Sequence, residues 1–350
     1  MLEIDGARHS GSGTIVRQAV AFAALTGQAV HLRHVRVRRP NPGLRPQHLQ
    51  VVEAIRQLVD GTTEGVRKGA QEFVFIPGLP QRASHYTWDI GSAGSTTMLA
   101  LAVLPVLAFR SAPIDVTLQG GIFQDFAPSV YHLQHVVLPL LWRMGVNAVI
   151  DMSRPGYVPR GGGVLHLRVS PGREQLRPLV MQHAGAVRRL WGVALASHLA
   201  ERRVSQRLAM SAQKVFTAAG YTATIETLED SSALQPGAAF TAFADIETGT
   251  RLGADQAGAP RRRAEAIGTH VAQQLLAELR TGAPLDRYAA DQVIPFAALA
   301  EGESRCRLPW ITDHVLSNAW LAKEMLGAEV RLEDRELVVT GVGFRSPAGL

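Results

Sequence analysis

Apolar positions along the chain recur with two periods, every second residue in short blocks and every 3.6 residues in longer ones, the periods of strand and helix. The opening LEIDG predicts a strand. Residues Ile15–Leu25 predict an amphipathic helix that Gly27 stops, and AVHLRHVRV predicts a second strand. HLQVVEAIRQLV is a second helical block, and EFVFIPG is a closing strand. The same succession then returns: the strand YTWDIG, the apolar helix Thr96–Leu107, the strand IDVTLQGG, the helix YHLQHVVLPLLWRMG, and a hairpin ending in VLHLRVS. A third copy is legible towards the C-terminus. There the helix AADQVIPFAALA, a short strand and the helix DHVLSNAWLAKEMLG precede the hairpin AEVRLEDRELVVTG.

Recurrence at this scale predicts an α+β fold, a large domain of repeated split βαβ units, each running strand-helix-strand-helix-strand-strand. The third copy is interrupted. Near Ala184–Thr281 the pattern reads strand (RLWGVALAS), helix, strand (TATIETLE), strand (FTAFADIE) and helix (RAEAIGTHVAQQLLAEL). In the first of those helices Val204, Leu208, Ala212, Val215 and Phe216 form one apolar stripe. Residues 184–281 are therefore expected to form a smaller inserted α/β domain, with 1–183 and 282–350 making one discontinuous domain around it.

Composition narrows the class. The 350 residues are 46% apolar and 19% charged, as in an ordinary globular chain. No apolar run reaches the ~18 residues of a spanning helix, so no membrane association is expected. The N-terminal MLEIDGARHSGSG lacks the charged and apolar regions of a signal peptide. Cys306 is the single cysteine, which excludes an internal disulfide framework or a thiolate zinc site and suits a reducing, cytoplasmic compartment. Net charge is +6, carried by 33 Arg against three Lys (Lys68, Lys214, Lys323). The densest basic stretch runs from Arg33 to Arg45, with no acid between His31 and Gln50. Such a run fits a polyanionic partner, and equally a strand edge protected from pairing.

Candidate chemistry gathers at two glycine-rich strand–helix junctions. The first, Asp5-Gly-Ala-Arg-His-Ser10-Gly11-Ser-Gly13-Thr14, lets the backbone approach a ligand just where a helix offers unpaired N–H groups and a positive dipole end. It lacks the Lys-Ser/Thr of a P-loop and is not GxGxxG. The second, Gly91-Ser92-Ala-Gly94-Ser-Thr96, repeats the device. His314 lies in the first turn of a helix that Thr312 or Asp313 can cap, with Ser317, Asn318 and Leu321 on its face. The helix dipole lowers an imidazole pKa there, and neutral histidine is a competent nucleophile. A structural role for a lone histidine is the competing reading. The pairs His31/His34 and His132/His135 lack metal-site spacing, and no GxSxG elbow is present.

Taken together, the ordered segments resemble the RNA 3′-terminal phosphate cyclase family. They are Ile4-Asp5-Gly6 with Gly11, Gly13 and Arg17; Arg36-Val-Arg-Arg39-Pro-Asn-Pro-Gly-Leu44 with Gln47-His48-Leu49; Ile90-Gly-Ser92-Ala-Gly94-Ser95; Gly120-Gly121 with Ala127-Pro128; Pro159-Arg-Gly-Gly-Gly163; Tyr288-Ala-Ala-Asp291-Gln292; and His314 through Asn318. RPNPGLRPQHL is the most specific. The resemblance spans almost the whole chain and is weakest in the inserted segment. It implies a fold of repeated split βαβ units, ATP as co-substrate with Mg²⁺ or Mn²⁺, and RNA with a 3′-phosphate end as the other partner. No obligate protein partner is implied. It further implies that His314 is adenylated, that Tyr288, Asp291 and Gln292, with Arg17, Gly11 and Gly13, hold the nucleotide, and that Arg36, Arg39, Gln47, His48, Ser92 and Gly94 surround the phosphates and the RNA end. Strand alternation would instead pair Arg36 with Arg38; the family pattern is followed because Arg39-Pro40 ends the strand.

The chain departs from the family in one functional region. Ser10 stands where active members carry a Glu suited to a hard cation, so the residue that holds the metal is left unassigned. Thr14 and Leu101 replace Gln, and Ile122 replaces Thr. Two functions follow as expectations: a working cyclase, or a non-catalytic RNA-binding relative acting in ribosome or RNA assembly. Retention of His314 favours the first. Enolpyruvyl transfer on a related repeat fold is the remote third, since RPNPGLRPQHL has no place in it.

Overall fold

A computed structural model describes residues 1–345. The chain begins with β1 (Leu2–Asp5), α1 (Gly13–Thr26), β2 (Val30–Arg33), α2 (Pro46–Leu58), β3 (Thr62–Glu64) and β4 (Phe73–Ile76). β1 and β2 run parallel, which requires a crossover, and α1 supplies it. Ser12 caps α1 by accepting from the Thr14 N–H, and Gly27 ends it in the left-handed region. The four strands order as β1-β2-β4-β3. Next come β5 (His85–Asp89), α3 (Thr96–Leu107) and β6 (Ile114–Gly120), then a helix in three pieces, β7 (Asn147–Arg154) and β8 (Gly163–Ser170). Their order is β5-β6-β8-β7. The helical pieces are α4 (Val130–His132), a π turn (Leu133–Val137) and α5 (Leu138–Met144). Pro139 at the head of α5 has no N–H to donate, which accounts for the break in the ladder.

β9 is only Val180–Met181. After it the chain leaves to build β10 (Val187–Ser197), α6 (Val204–Ala218), β11 (Ala223–Asp230), β12 (Gly237–Ile246), β13 (Arg251–Ala257) and α7 (Ala264–Arg280), with strand order β11-β10-β12-β13. It returns through α8 (Ala289–Gln292), α9 (Ile294–Leu299), β14 (Glu301–Arg307), α10 (Asp313–Leu321), a π turn (Ala322–Leu326), β15 (Glu329–Glu333) and β16 (Glu336–Val342). β14 closes on β9 in parallel, so the last sheet orders as β9-β14-β16-β15. In three sheets the first two strands of the local succession are thus parallel neighbours, and the fourth lies between the second and the third.

One hydrophobic cluster unites those three sheets and their helices, with Phe22, Phe75, Trp88, Leu118, Phe296 and Val339 among its members. A second, including Leu208, Phe216, Phe240, Leu252, Val271 and Leu275, lies between the β10–β13 sheet and helices α6 and α7. That sheet presents its other side, through Leu195, Ala239 and Phe243, to the first cluster.

Three local expectations are corrected. The strand AVHLRHVRV stops at Arg33, because His34 and Arg36 take positive φ (53° and 54°) and the chain turns away. Alternation therefore says nothing about Arg36 against Arg38. RLGADQA, absent from the pattern, is strand β13, whose weak periodicity is offset by a full antiparallel register with β12. AADQVIPFAALA is two short helices rather than one, divided at Val293 ahead of Pro295.

Candidate active site at the His314 helix

Helices α1 and α10 pack together, and their first turns meet. Thr312 caps α10 through the Val315 N–H at 3.2 Å, as its sequence predicts. His314 sits half-buried in that first turn, and its Nδ1 lies 2.9 Å from Thr14 Oγ1 at the start of α1. One turn further along α1, the Arg17 guanidinium donates to the same oxygen at 3.0 Å. Thr14 Oγ1 accepts from Arg17, and because a hydroxyl both donates and accepts, its bond to Nδ1 serves either tautomer of the neutral ring. Burial, with Arg17 and then Arg39 nearby, pushes the His314 pKa down to about 4, so the ring is neutral at pH 7.

Ser10 is closed into the same junction. Its hydroxyl lies 2.9 Å from Ser12 Oγ and 2.8 Å from Ser317 Oγ, and its N–H donates to Ser317 Oγ at 3.2 Å. Ser317 in turn donates to the Asp313 carbonyl at 2.8 Å. Ser10 thus pins the β1–α1 loop to the His314 helix. Asn318, also on the predicted face, donates to the Asp291 carbonyl at 2.7 Å and ties α10 to α8.

Arg17 is buried, and its pKa falls to about 10, a drop that the charge of Asp291 opposes. Burial raises the Asp291 carboxyl to about 7 against the Gln292 amide, which donates to it at 3.0 Å, and against Arg17. His48, in the first turn of α2, accepts the Arg45 N–H on Nδ1 at 3.1 Å, which places the ring proton on Nε2. That nitrogen faces Gly13 so closely that any Cβ there would collide with it. Burial, then Arg17, Arg36 and Arg45, hold the His48 pKa well below its ordinary value. His314, Arg17, Asp291, Gln292, His48 and Gly13 are therefore brought together.

The remaining predicted residues stand around this centre. Gly11 lies under the Arg38 side chain, whose guanidinium donates to the His9 carbonyl at 3.0 Å. Arg36 donates to the Asn41 and Gly43 carbonyls at 2.7 and 2.8 Å and so braces the RPNPGL loop, while Arg39 is exposed and unpaired by acid among the described residues. Gln47 accepts the Ser95 N–H at 3.1 Å, and a Cβ at Gly94 would lie 2.9 Å from its Cβ. Ser92 Oγ accepts the Gly94 N–H at 3.3 Å. These contacts attach the second junction to the first turn of α2 rather than to His314 itself. Tyr288, just before α8, lines a cavity of about 320 Å³ with Gln124, Phe126, Asp255, His270 and Arg287. Burial raises its phenol pKa. Leu101 and Ile122 are core residues here, 3% and 1% exposed.

Sequence reasoning did not select Thr14, Ser12 or Ser317 as site residues. Ser317 was visible only as a member of the His314 face. It also missed Trp320, over which the Arg8 guanidinium lies at 5.1 Å.

The donor set does not fit a divalent cation held by the protein. Ser10 offers an uncharged oxygen already bonded to two hydroxyls. Asp5 is engaged by the Ala7 N–H at 2.9 Å and by His34 at 3.0 Å, and Asp291 by Gln292. Among the described residues no three His, Cys, Asp or Glu side chains converge, and a hard cation wants several oxygen ligands.

Comparison with known proteins identifies the family. The model of the family described as RNA 3′-terminal phosphate cyclase matches residues 8–332. A protein of that name from Methanothermobacter thermautotrophicus is 36% identical over 333 residues, covering 95% of this chain and 96% of its own. One from Hyperthermus butylicus is 38% identical over 338 residues, covering 94% and 93%. Among solved structures, the enolpyruvyl transferase NikO from Streptomyces tendae is similar over 97% of this chain and 49% of its own, at 13% identity and a TM-score of 0.43, too distant to inform the site. The chain belongs to the RNA 3′-terminal phosphate cyclase family.

Proposed function

We propose that the protein uses ATP to convert an RNA 3′-terminal phosphate into a 2′,3′-cyclic phosphodiester, through a His314–AMP intermediate and an RNA-adenylate. The observation that carries this reading is the neutral His314 ring bonded to Thr14, whose hydroxyl also accepts from Arg17, where two helix N-termini meet. A phosphate monoester dianion is a poor electrophile, and activation by AMP removes that obstacle. In the tautomer protonated at Nδ1, His314 Nε2 attacks the α-phosphorus of ATP, the bond to the bridging oxygen breaks, and pyrophosphate leaves, with Nδ1–H donating to Thr14 Oγ1. An oxygen of the RNA 3′-phosphate then attacks the AMP phosphorus, and the P–N electron pair returns to Nε2. Finally the 2′-hydroxyl loses its proton and attacks the terminal phosphorus, expelling AMP.

Each step concentrates anionic oxygens, which Arg17, Arg36, Arg39 and the His48 Nε2–H would stabilise. Tyr288, Asp291, Gln292, Gly11 and Gly13 are assigned to the nucleotide, and Gln47, Ser92 and Gly94 to the RNA end. No residue is assigned to a metal. We read the three like-ordered sheets as repeated split βαβ units, with 184–281 inserted between β9 and α8 of the last, and place the protein in the cytoplasm without an obligate protein partner.

The test is incubation with α-labelled ATP and Mg²⁺ or Mn²⁺, beside His314→Ala. An acid-labile label on the wild type alone supports the reading. Absence of label on both proteins with either metal overturns it and leaves a non-catalytic RNA-binding role.

A further inference from the structure

Between the Tyr157–Pro159 hairpin and the first turns of α6 and α7 runs a groove of about 490 Å³ whose walls carry Arg202, Arg207, Arg261, Arg262 and Arg263 and no acid. Arg207 is neutralised by Glu265 (2.7 and 3.0 Å) and Arg262 by Asp125 (2.9 and 2.8 Å). Arg202 and Arg261 are exposed and make no ion pair among the described residues, and Arg263 reaches Glu265 only at 3.8 Å. Arg261 holds φ +67, a costly backbone for a residue with a side chain. Both helices that open here start at an arginine with no side-chain cap, so their first N–H groups add to the positive field.

The groove adjoins the Tyr288 cavity. Arg262 also lines the Tyr288 cavity, and next to its partner Asp125 stands Phe126, 99% exposed and itself at φ +66. Unpaired guanidinium groups along a concave path, with a bare aromatic ring at one end, are the elements that bind single-stranded nucleic acid: charge for the backbone, a flat face for a base. We propose that this groove holds the phosphodiesters of the RNA strand upstream of its reacting 3′ end, with Phe126 stacking a base at the lip. The inference rests on RNA being the substrate, and it makes the β10–α7 segment the part of the molecule that recognises RNA length.

The experiment is fluorescence anisotropy without ATP, with 3′-phosphorylated RNA of about 12 nucleotides and a 3′-phosphorylated dinucleotide, on the wild type and on Arg202→Ala/Arg261→Ala/Arg263→Ala. The longer RNA should bind the wild type at least about tenfold more tightly. The triple variant should lose that advantage, and the slope of log K against log salt should fall by about 2, at roughly 0.7 for each phosphate no longer neutralised by an arginine. Labelling by ATP should be unchanged in the variant, which also verifies its fold. Equal affinity of the two RNAs for the wild type, or an undiminished affinity of the variant for the longer one, overturns the groove while leaving His314 adenylation standing. Loss of RNA affinity in a protein that is never labelled keeps the groove and overturns the catalytic reading instead.

Discussion

An imidazole in water is half protonated near pH 6.5, whereas His314, by burial and by its neighbours Arg17 and Arg39, reaches that point only at about 4. The folded-state pKa is lowered, so between pH 4 and 6.5 the ring stays neutral in the native protein. ¹⁵N chemical shifts of the His314 ring, assigned with His314→Gln, should titrate well below pH 6; a midpoint at 6.5 or above would refute the buried, arginine-flanked environment. Thr14→Val removes the oxygen that both His314 and Arg17 address. A displaced nucleophile should then slow self-adenylation by about 10², with a smaller change in KM for ATP. Gly13→Ala should lower ATP affinity by at least about tenfold in calorimetry, because its methyl would drive His48 out of place. His314 could be picked from the sequence by its position in a first helical turn, and Gly13 by its place in a glycine-rich strand–helix junction. The Ser10–Ser317 bond could not, because 307 residues separate its partners and nothing local selects it.

Elements are joined by contacts of the same long-range kind. His132 of α4 and Asp286, ahead of α8, meet at 2.9 Å with both side chains fully buried, and the carboxylate also accepts the Gly253 N–H of β13 at 2.8 Å. Burial alone would lower the His132 pKa, yet Asp286 overrides it and raises it; burial would raise the Asp286 pKa, yet His132 brings it down. The Asp286 contribution is therefore present above pH ~4 and lost as pH falls through its lowered pKa. The His132 contribution is full below pH ~6.5 and lost as pH rises through its raised pKa. The pair should stabilise most between about pH 4 and 6.5, and denaturation of wild type against His132→Gln across that range measures it. Asp286→Ala, which strands a buried imidazole and the N–H groups of Gly253, Tyr288 and Ala289, should cost about 3–5 kcal/mol. From sequence, His132 and His135 were simply an i,i+3 pair without metal spacing, and no helical pattern could reveal a carboxylate 154 residues away.

The whole molecule rests on two hydrophobic clusters, so the β10–α7 segment carries a core of its own. Phe216→Ala, at a fully buried position in the second cluster, should cost about 3–5 kcal/mol in guanidinium denaturation. His314 labelling should persist in that variant at temperatures where it stays folded, since the Thr14–His314 junction lies in the other cluster's territory. What the sequence determined unaided was local: the helices whose apolar stripes recur every 3.6 residues, the cap at Thr312, the glycine-rich junctions, and the mixed α and β class. These follow from backbone geometry within a few residues. Tertiary structure alone decided where β2 ends, that RLGADQA is a strand, that Val180–Met181 completes a sheet after a long excursion, that Thr14 meets the His314 imidazole and that Ser10 meets Ser317. In each case the deciding energy is a ladder, a buried hydrogen bond or a desolvated charge. Its partner lies far along the chain, where no periodicity of the sequence can register it.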